Sequence, residues 1–337
     1  MKFTDFELSD AVLDGLRDVQ FDSPTPIQKA CIPEILAGRD ILATAQTGTG
    51  KTGAFAIPVL EQVYRSGSKG LKALILSPTR ELAQQIEEQI FAIGYHTGLT
   101  TVSVIGGSDF AAQARALKGG VDIVVATPGR LMDQKKVSEL DFASIEYFVL
   151  DEADRMLDMG FLPDIKKIIS WLPDKRQNLL FSATMPKEIA RLAEEFMVKP
   201  FSVDIARSKP NQNVTQFAYR VDSGQKVLLV RELLHQLRWE SCIMFTSTKR
   251  GTDQLYRLLK KEGIQAASIH GDRSQEERNV ALQDFINGKV PVIVATDVLA
   301  RGIDIKGVSM IINFDMPHNT DDYVHRIGRT GRYDRTG

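Results

Sequence analysis

The sequence predicts an α/β chain of two tandem domains, each built on a mainly parallel sheet, with a phosphate-binding loop of the P-loop NTPase type in the first. Three observations carry this. Short β-branched apolar runs at Ile41 to Thr44, Ala73 to Leu76, Ile123 to Ala126, Phe148 to Leu150 and Leu179 to Phe181 alternate with helical patterns, the mark of strands buried on both faces. The chain also echoes itself. Leu74-Ile75-Leu76, Ser77-Pro78-Thr79-Arg80 and Gln85 are answered by Met244-Phe245, Thr246-Ser247-Thr248-Lys249 and Gln254, and Ile123 to Thr127 by Val292 to Thr296, both at a separation of 169 residues. Two matches in one register imply two units of related architecture. Finally, an apolar strand runs directly into the glycine-rich segment Ala45 to Thr52.

Composition sets the frame. The chain has 337 residues, 25% charged and 43% hydrophobic, with a formal net charge of -1. That length suits two domains with their own cores, needing neither disulfides nor structural metal. Cys31 and Cys242 are far apart and neither has a CxxC partner, so zinc and redox motifs are excluded. No apolar run reaches the ~18 residues of a membrane span and no signal-peptide core opens the chain. A cytoplasmic monomer without membrane contact is the expectation. The boundary is expected in the polar, Pro210-containing stretch Ala206 to Asn213, giving a first domain at 1–207, a linker at 208–213 and a second domain at 214–337.

The phosphate segment reads Ala45-Gln46-Thr47-Gly48-Thr49-Gly50-Lys51-Thr52. Gly48 and Gly50 permit a loop whose backbone N–H groups converge on phosphate oxygens at a helix amino terminus, where the dipole favours anions. Lys51 would reach the β- and γ-phosphates, and the Thr52 hydroxyl would face Mg²⁺. Next, Phe148-Val149-Leu150 ends in Asp151-Glu152-Ala153-Asp154. An apolar strand ending in acids places carboxylates at the carboxyl edge of the sheet, where α/β folds bind ligands. Asp151 would hold Mg²⁺ and Glu152 would orient or deprotonate an attacking water.

Taken with Ser182-Ala183-Thr184 and His325-Arg326-Ile327-Gly328-Arg329-Thr330-Gly331-Arg332, in this order and spacing, these segments resemble the DEAD-box ATP-dependent RNA helicases. The likeness runs from Phe3 to Arg332; composition also resembles, more weakly, the bacterial RhlE-like group. It implies two RecA-like domains that bind ATP and RNA. It implies an adenine-reading segment within 1–29: Gln28 offers a donor and an acceptor side by side, suited to adenine rather than guanine, and Phe21 or Phe3 could stack on the base. The family usually has Gly before this aromatic; here Gln20 stands there. Arg329 and Arg332 are implied as arginine fingers on the γ-phosphate, three apart and on one face if helical. Asp304 is implied as a ribose contact, and Ser182 with Thr184 as the segment coupling hydrolysis to domain closure.

The repeated blocks acquire a role through the same likeness. Thr79, Arg80, Gly106, Gly107, Thr127 and Arg130 in the first domain match segments the family uses on RNA, as do Thr248, Lys249, Thr296 and Arg301 in the second. Hydroxyls, backbone amides and cations at turns can hold sugar and phosphate without reading bases. The resulting expectation is an RNA-stimulated ATPase using Mg²⁺ that locally unwinds or remodels RNA without sequence specificity. Two alternatives stay open: an ATP-gated RNA clamp with little unwinding, and a DNA-directed motor of the same fold. The family's second domain normally continues past the position of Gly337, so the second sheet is expected to be short at an edge. Residues 1–207 carry 23 Lys plus Arg against 28 Asp plus Glu, a net of -5, and the remainder carry 19 against 15, a net of +4. The neutral total therefore conceals an acidic half and a basic half.

Overall fold

Alternate residues of each four- to six-residue apolar strand face opposite sides, so burial on both faces requires helices above and below the sheet. The structure, a computed structural model, describes residues 1–45, 48–67, 69–137, 140–205, 214–297, 308–317 and 320–330. The chain divides into two units, Met1–Arg207 and Ser208–Gly337; the expected linker, 208–213, lies outside the described residues.

In the first unit the strands are β1 (Ile41–Thr44), β2 (Ala73–Leu76), β3 (Thr101–Val104), β4 (Ile123–Ala126), β5 (Tyr147–Leu150), β6 (Gln177–Ser182) and β7 (Phe201–Asp204). Its helices are α1 (Asp10–Asp18), α2 (Pro26–Leu36), α3 (Lys51–Ser66), α4 (Arg80–Ile93), α5 (Phe110–Lys118), α6 (Pro128–Val137), α7 (Ala153–Asp158), α8 (Leu162–Ile169) and α9 (Lys187–Phe196). The strands form one parallel sheet in the order β3-β4-β2-β5-β6-β1-β7. Ile41, Ile75, Val125, Val149 and Phe181 pack into one core with α1 to α4. Their neighbours Leu74, Val124, Phe148 and Leu180 pack into the other with α7 to α9.

The second unit has α10 (Lys226–Gln236), β8 (Cys242–Phe245), α11 (Lys249–Lys261), β9 (Ala266–Ile269), α12 (Gln275–Ile286), β10 (Val292–Ala295), β11 (Met310–Asn313) and α13 (Thr320–Ile327). Its four described strands are parallel in the order β11-β8-β10-β9. Read from the other edge, β9-β10-β8-β11 repeats the β3-β4-β2-β5 order of the first unit. The pairing register repeats too: Ala73 faces Ile123 and Cys242 faces Val292, the same two positions at a separation of 169. The sequence echo is therefore one four-strand module used twice. In both copies a threonine caps the helix that follows: Thr79 Oγ1 accepts from Leu82 N and Thr248 Oγ1 accepts from Gly251 N.

Two details of the frame bear on the site. Gln20, where Gly is usual in the resembled family, takes the left-handed conformation at φ 57°. It follows the end of α1, a position that favours Gly because any Cβ costs about 1 kcal/mol or more there. The backbone path is kept at that cost, and Phe21 follows it with its N–H on Leu16 O at 2.9 Å. Elsewhere, the buried Asp40 carboxylate joins β1 to β6 and to the turn after α9. It accepts from Asn178 N at 2.7 Å, Asn178 Nδ2 at 3.1 Å and Val198 N at 2.8 Å. Asp40→Ala leaves three donors without their acceptor, so urea unfolding should show a loss of about 3 kcal/mol in the first unit. An unchanged unfolding midpoint would contradict this role.

Candidate active site

Every strand of the first sheet runs the same way, so the segments after their carboxyl ends gather along one edge. After β1 comes the phosphate segment, after β5 the acids and after β6 Ser182 to Thr184. Thr79 follows β2, Gly106 and Gly107 follow β3, and Thr127 follows β4. Parallel topology, with no further assumption, brings these candidates to that edge.

In the phosphate segment Ala45 N donates to Ser182 O at 2.9 Å, fixing the loop to β6. Gly48 and Gly50 have φ of 84° and 91°, a left-handed path that glycine adopts without strain. Gln46 and Thr47 lie outside the described residues. Lys51 and Thr52 open the 16-residue helix α3, with Thr49 just before them. Lys51 is only 5% exposed, and its buried Nζ has no hydrogen-bond partner among the described residues. A buried ammonium without a partner is costly, which marks the place an anion would fill.

Gln28 is buried beside the loop. Its Oε1 accepts from Thr25 N at 2.9 Å and its Nε2 donates to Gly50 O at 3.1 Å. One lone pair and one N–H remain for another partner, so the amide joins the start of α2 to the phosphate loop and still has adenine-reading capacity. A Cβ on Gly53 would lie 2.6 Å from Gln28 Nε2, so that glycine gives the amide its room. Phe3 is 5% exposed and sits in the core, with its ring stacked on Phe21 at 6.2 Å and edge-on to Phe6 at 6.1 Å. Phe21 is the ring of the pair with accessible surface. Glu61 of α3 holds this amino-terminal segment by accepting from Ser9 N at 2.9 Å and Ser9 Oγ at 2.7 Å.

The acids form a buried cluster. Asp151, Glu152 and Asp154 are all buried, and Glu152 N donates to Asp151 Oδ1 at 3.0 Å. Burial pushes the Asp151 carboxyl up to about 7, against the pull of the Lys51 ammonium. Glu152 is a non-glycine residue in the left-handed region, φ 52° and ψ 51°, the kind of strain that persists where surrounding structure imposes it. Asp154 Oδ2 accepts from both Thr184 N and Thr184 Oγ1 at 2.8 Å, and Asp154 N donates to Ser182 Oγ at 3.1 Å. Asp154 was readable only as part of an acidic motif; its contacts make it the joint between the acids and the Ser182 segment. Arg155, which the sequence reading passed over, is also buried, with Nη1 3.4 Å from Glu152 Oε2.

At the same edge, Arg80 packs against Gly106, where a Cβ would lie 2.9 Å from Nη2; Gly107 has φ 82°. Arg130 donates to Gln113 Oε1 at 3.0 Å and Ser108 O at 2.7 Å and lies over the Phe110 ring, tying down the turn that carries those glycines. In the second unit Lys249 is paired with Asp272, and Thr296 N donates to Ile269 O at 3.2 Å. Arg301, Asp304 and Arg332 lie outside the described residues. Helix α13 ends at Ile327, so it does not carry Arg329, which is 1% exposed. Arg326, missed in the sequence because the neighbouring arginines drew the functional reading, is equally buried. Its guanidinium grips Asp297 at 2.6 and 3.0 Å and also donates to Asn313 Oδ1 and Asp315 O. No sequence signal marks it: its burial and its partners appear only in the folded chain.

A parallel α/β sheet with a glycine loop, a buried lysine and neighbouring acids at its carboxyl edge defines a P-loop nucleoside triphosphatase. The DEAD/DEAH box helicase family model matches residues 25–192 and the helicase conserved C-terminal domain model matches 225–334. The DEAD-box ATP-dependent RNA helicase RhpA of Helicobacter pylori (strain B128) is 42% identical over 336 residues, covering 99% of this chain and 68% of that protein. The DEAD-box ATP-dependent RNA helicase CshA of Streptococcus pneumoniae (strain TIGR4) is 46% identical over 330 residues, 98% of this chain and 63% of that protein. The structure of S. cerevisiae Dbp5 bound to RNA and ADP BeF3 superposes with TM-score 0.88 at 32% identity, covering 100% of this chain and 88% of that one. The chain belongs to the DEAD-box ATP-dependent RNA helicases, with their tandem RecA-like fold. It spans about two thirds of the length of these two curated relatives. No helix among the described residues is long and apolar enough to cross a membrane.

Proposed function

We propose that this chain hydrolyses ATP to ADP and phosphate when RNA is bound, and uses the cycle to separate short RNA duplexes locally. The observation that carries the reading is the buried Lys51 ammonium, without a hydrogen-bond partner among the described residues and attracting the Asp151 carboxylate, at the sheet edge that also holds Glu152. Lys51 and the loop N–H groups from Gly48 to Thr52 bind the triphosphate, Gln46 and Thr47 completing the loop in this reading. Gln28 reads adenine and Phe21 stacks on it, with Phe3 behind. Glu152 accepts a proton from water as its oxygen attacks the γ-phosphorus and the bond to the β-phosphate oxygen breaks. Asp304 holds the ribose in the same reading.

Thr52 and Asp151 are oxygen donors beside a phosphate site, the donor set Mg²⁺ takes together with nucleotide oxygens. Among the described residues no three His, Cys, Asp or Glu side chains are grouped to hold a metal by themselves, which fits an ion shared with the nucleotide. When bound, Mg²⁺ would neutralise charge on the β- and γ-oxygens. Asp151 must be ionised to serve it. Its carboxyl is raised to about 7 by burial, so nucleotide affinity at fixed Mg²⁺ should fall as pH drops below that value, approaching tenfold per unit. The stability sign is opposite. Between the ordinary carboxylate range and about 7 the unfolded chain has released this proton and the folded chain has kept it, so stability declines as pH rises through that window. Asp151→Asn should remove both dependences, and binding titrations and thermal unfolding across the window check this. A parental pH profile in the variant would contradict it.

Ser182, Thr184 and Asp154 link the nucleotide site to the rest of the sheet edge, which is the coupling role. Thr79, Arg80, Gly106, Gly107, Thr127 and Arg130, with Thr248, Lys249, Thr296 and Arg301, hold RNA through backbone and sugar. The arginine-finger role for Arg329 and Arg332 belongs to this reading too. Two buried, unpaired cysteines support a reducing cytoplasmic setting. A strand-displacement assay run beside an ATP-dependent RNA-retention assay tests the proposal. Displacement that requires ATP supports it; retention without displacement favours a clamp.

A further inference from the structure

The geometry points to Arg155 as a positioning residue for Glu152; this inference rests on the reading of Glu152 as the group that takes the proton from water. Glu152 precedes α7 in a left-handed conformation, so no regular helix geometry aims its side chain. Its Oε2 lies 3.4 Å from Arg155 Nη1, with side-chain exposures of 9% and 6%. Arg155 stands in the first turn of α7, three residues on.

The charges around Glu152 explain why such a partner is needed. Asp151 follows β5 on one side and Asp154 lies on α7 on the other, both buried carboxylates. Asp154 is already engaged by Thr184 and Ser182. Lys51, from α3, acts on Asp151. Helix α9 also packs against α7, but its charged residues, Lys187, Glu188, Arg191, Glu194 and Glu195, are exposed, as is Asp158 on α7 itself. Three buried acids within four residues repel one another's ionised forms. Arg155 is the buried cation placed against the middle one. It holds the orientation of the Glu152 carboxylate, so water meets a fixed acceptor.

Arg155→Gln, Arg155→Lys and Glu152→Gln, assayed for ATP turnover with saturating RNA, test this. In Arg155→Gln, kcat should fall about tenfold with KM for ATP within about twofold of the parent. In Arg155→Lys, which keeps the charge and also serves if the glutamine variant folds poorly, kcat should recover to within about threefold of the parent at the same KM. Parental kcat in Arg155→Gln, or an equal loss of kcat in Arg155→Lys, overturns the inference while leaving Glu152 in place. Full turnover by Glu152→Gln overturns the reading of Glu152 itself, and the positioning role with it.

Discussion

In Glu152→Gln, RNA-stimulated ATP hydrolysis falls by about a hundredfold to ten-thousandfold while ATP and RNA still bind. Glutamine keeps the size of the side chain and its acceptor oxygen but cannot take a proton. The backbone around it should be undisturbed, because the left-handed turn is held by Asp151, Asp154 and the start of α7 rather than by the carboxylate. The variant should therefore accumulate a ternary complex with ATP and RNA that the parent turns over. Rapid filtration of labelled RNA with ATP and with ADP reads this directly. Retention that is equal with both nucleotides, or hydrolysis near the parental rate, would remove Glu152 from the mechanism.

Lys51→Ala has a comparable effect on turnover through a different step. Removal of a cation from a buried phosphate site abolishes nucleotide binding in the usable concentration range, so kcat/KM for ATP should drop by at least about a hundredfold. The nucleotide-free chain responds in the other sense. Lys51 Nζ is buried without a hydrogen-bond partner among the described residues, so its removal relieves a desolvation cost, while Asp151, already raised by burial, can hold its proton once the cation is gone. Thermal unfolding without nucleotide should show the variant as stable as the parent or more so, by about 1 kcal/mol. A large loss of stability in the absence of ATP would instead make Lys51 a structural residue.

The two-unit α/β plan was legible because continuous β-branched strands and a repeated turn are one-dimensional features. The matched pairs Ala73 with Ile123 and Cys242 with Val292 show that the repeat reaches as far as strand register. The geometry of the phosphate segment was equally legible, since Gly48 and Gly50 take the left-handed path and Lys51 opens α3. Legibility ended where one side chain serves another. Arg155 and Arg326 are buried cations whose partners, Glu152 and Asp297, become visible only when the chain is folded. Gln28 reads in sequence as an adenine contact, yet half its hydrogen-bonding capacity joins α2 to the loop. The Gly usually present before Phe21 reported a left-handed backbone, and Gln20 adopts it despite its Cβ. Arg329 reads in sequence as an arginine finger and is 1% exposed in the folded chain, because tertiary packing rather than motif membership decides exposure.

RNA-stimulated ATPase activity, measured with matched RNA and DNA single strands, tests the central claim most directly. The account predicts slow hydrolysis by the chain alone and strong stimulation by RNA of unrelated sequences, with little by DNA, because turn hydroxyls and cations can use the 2′-hydroxyl. Equal stimulation by DNA, or hydrolysis indifferent to either strand, would contradict it.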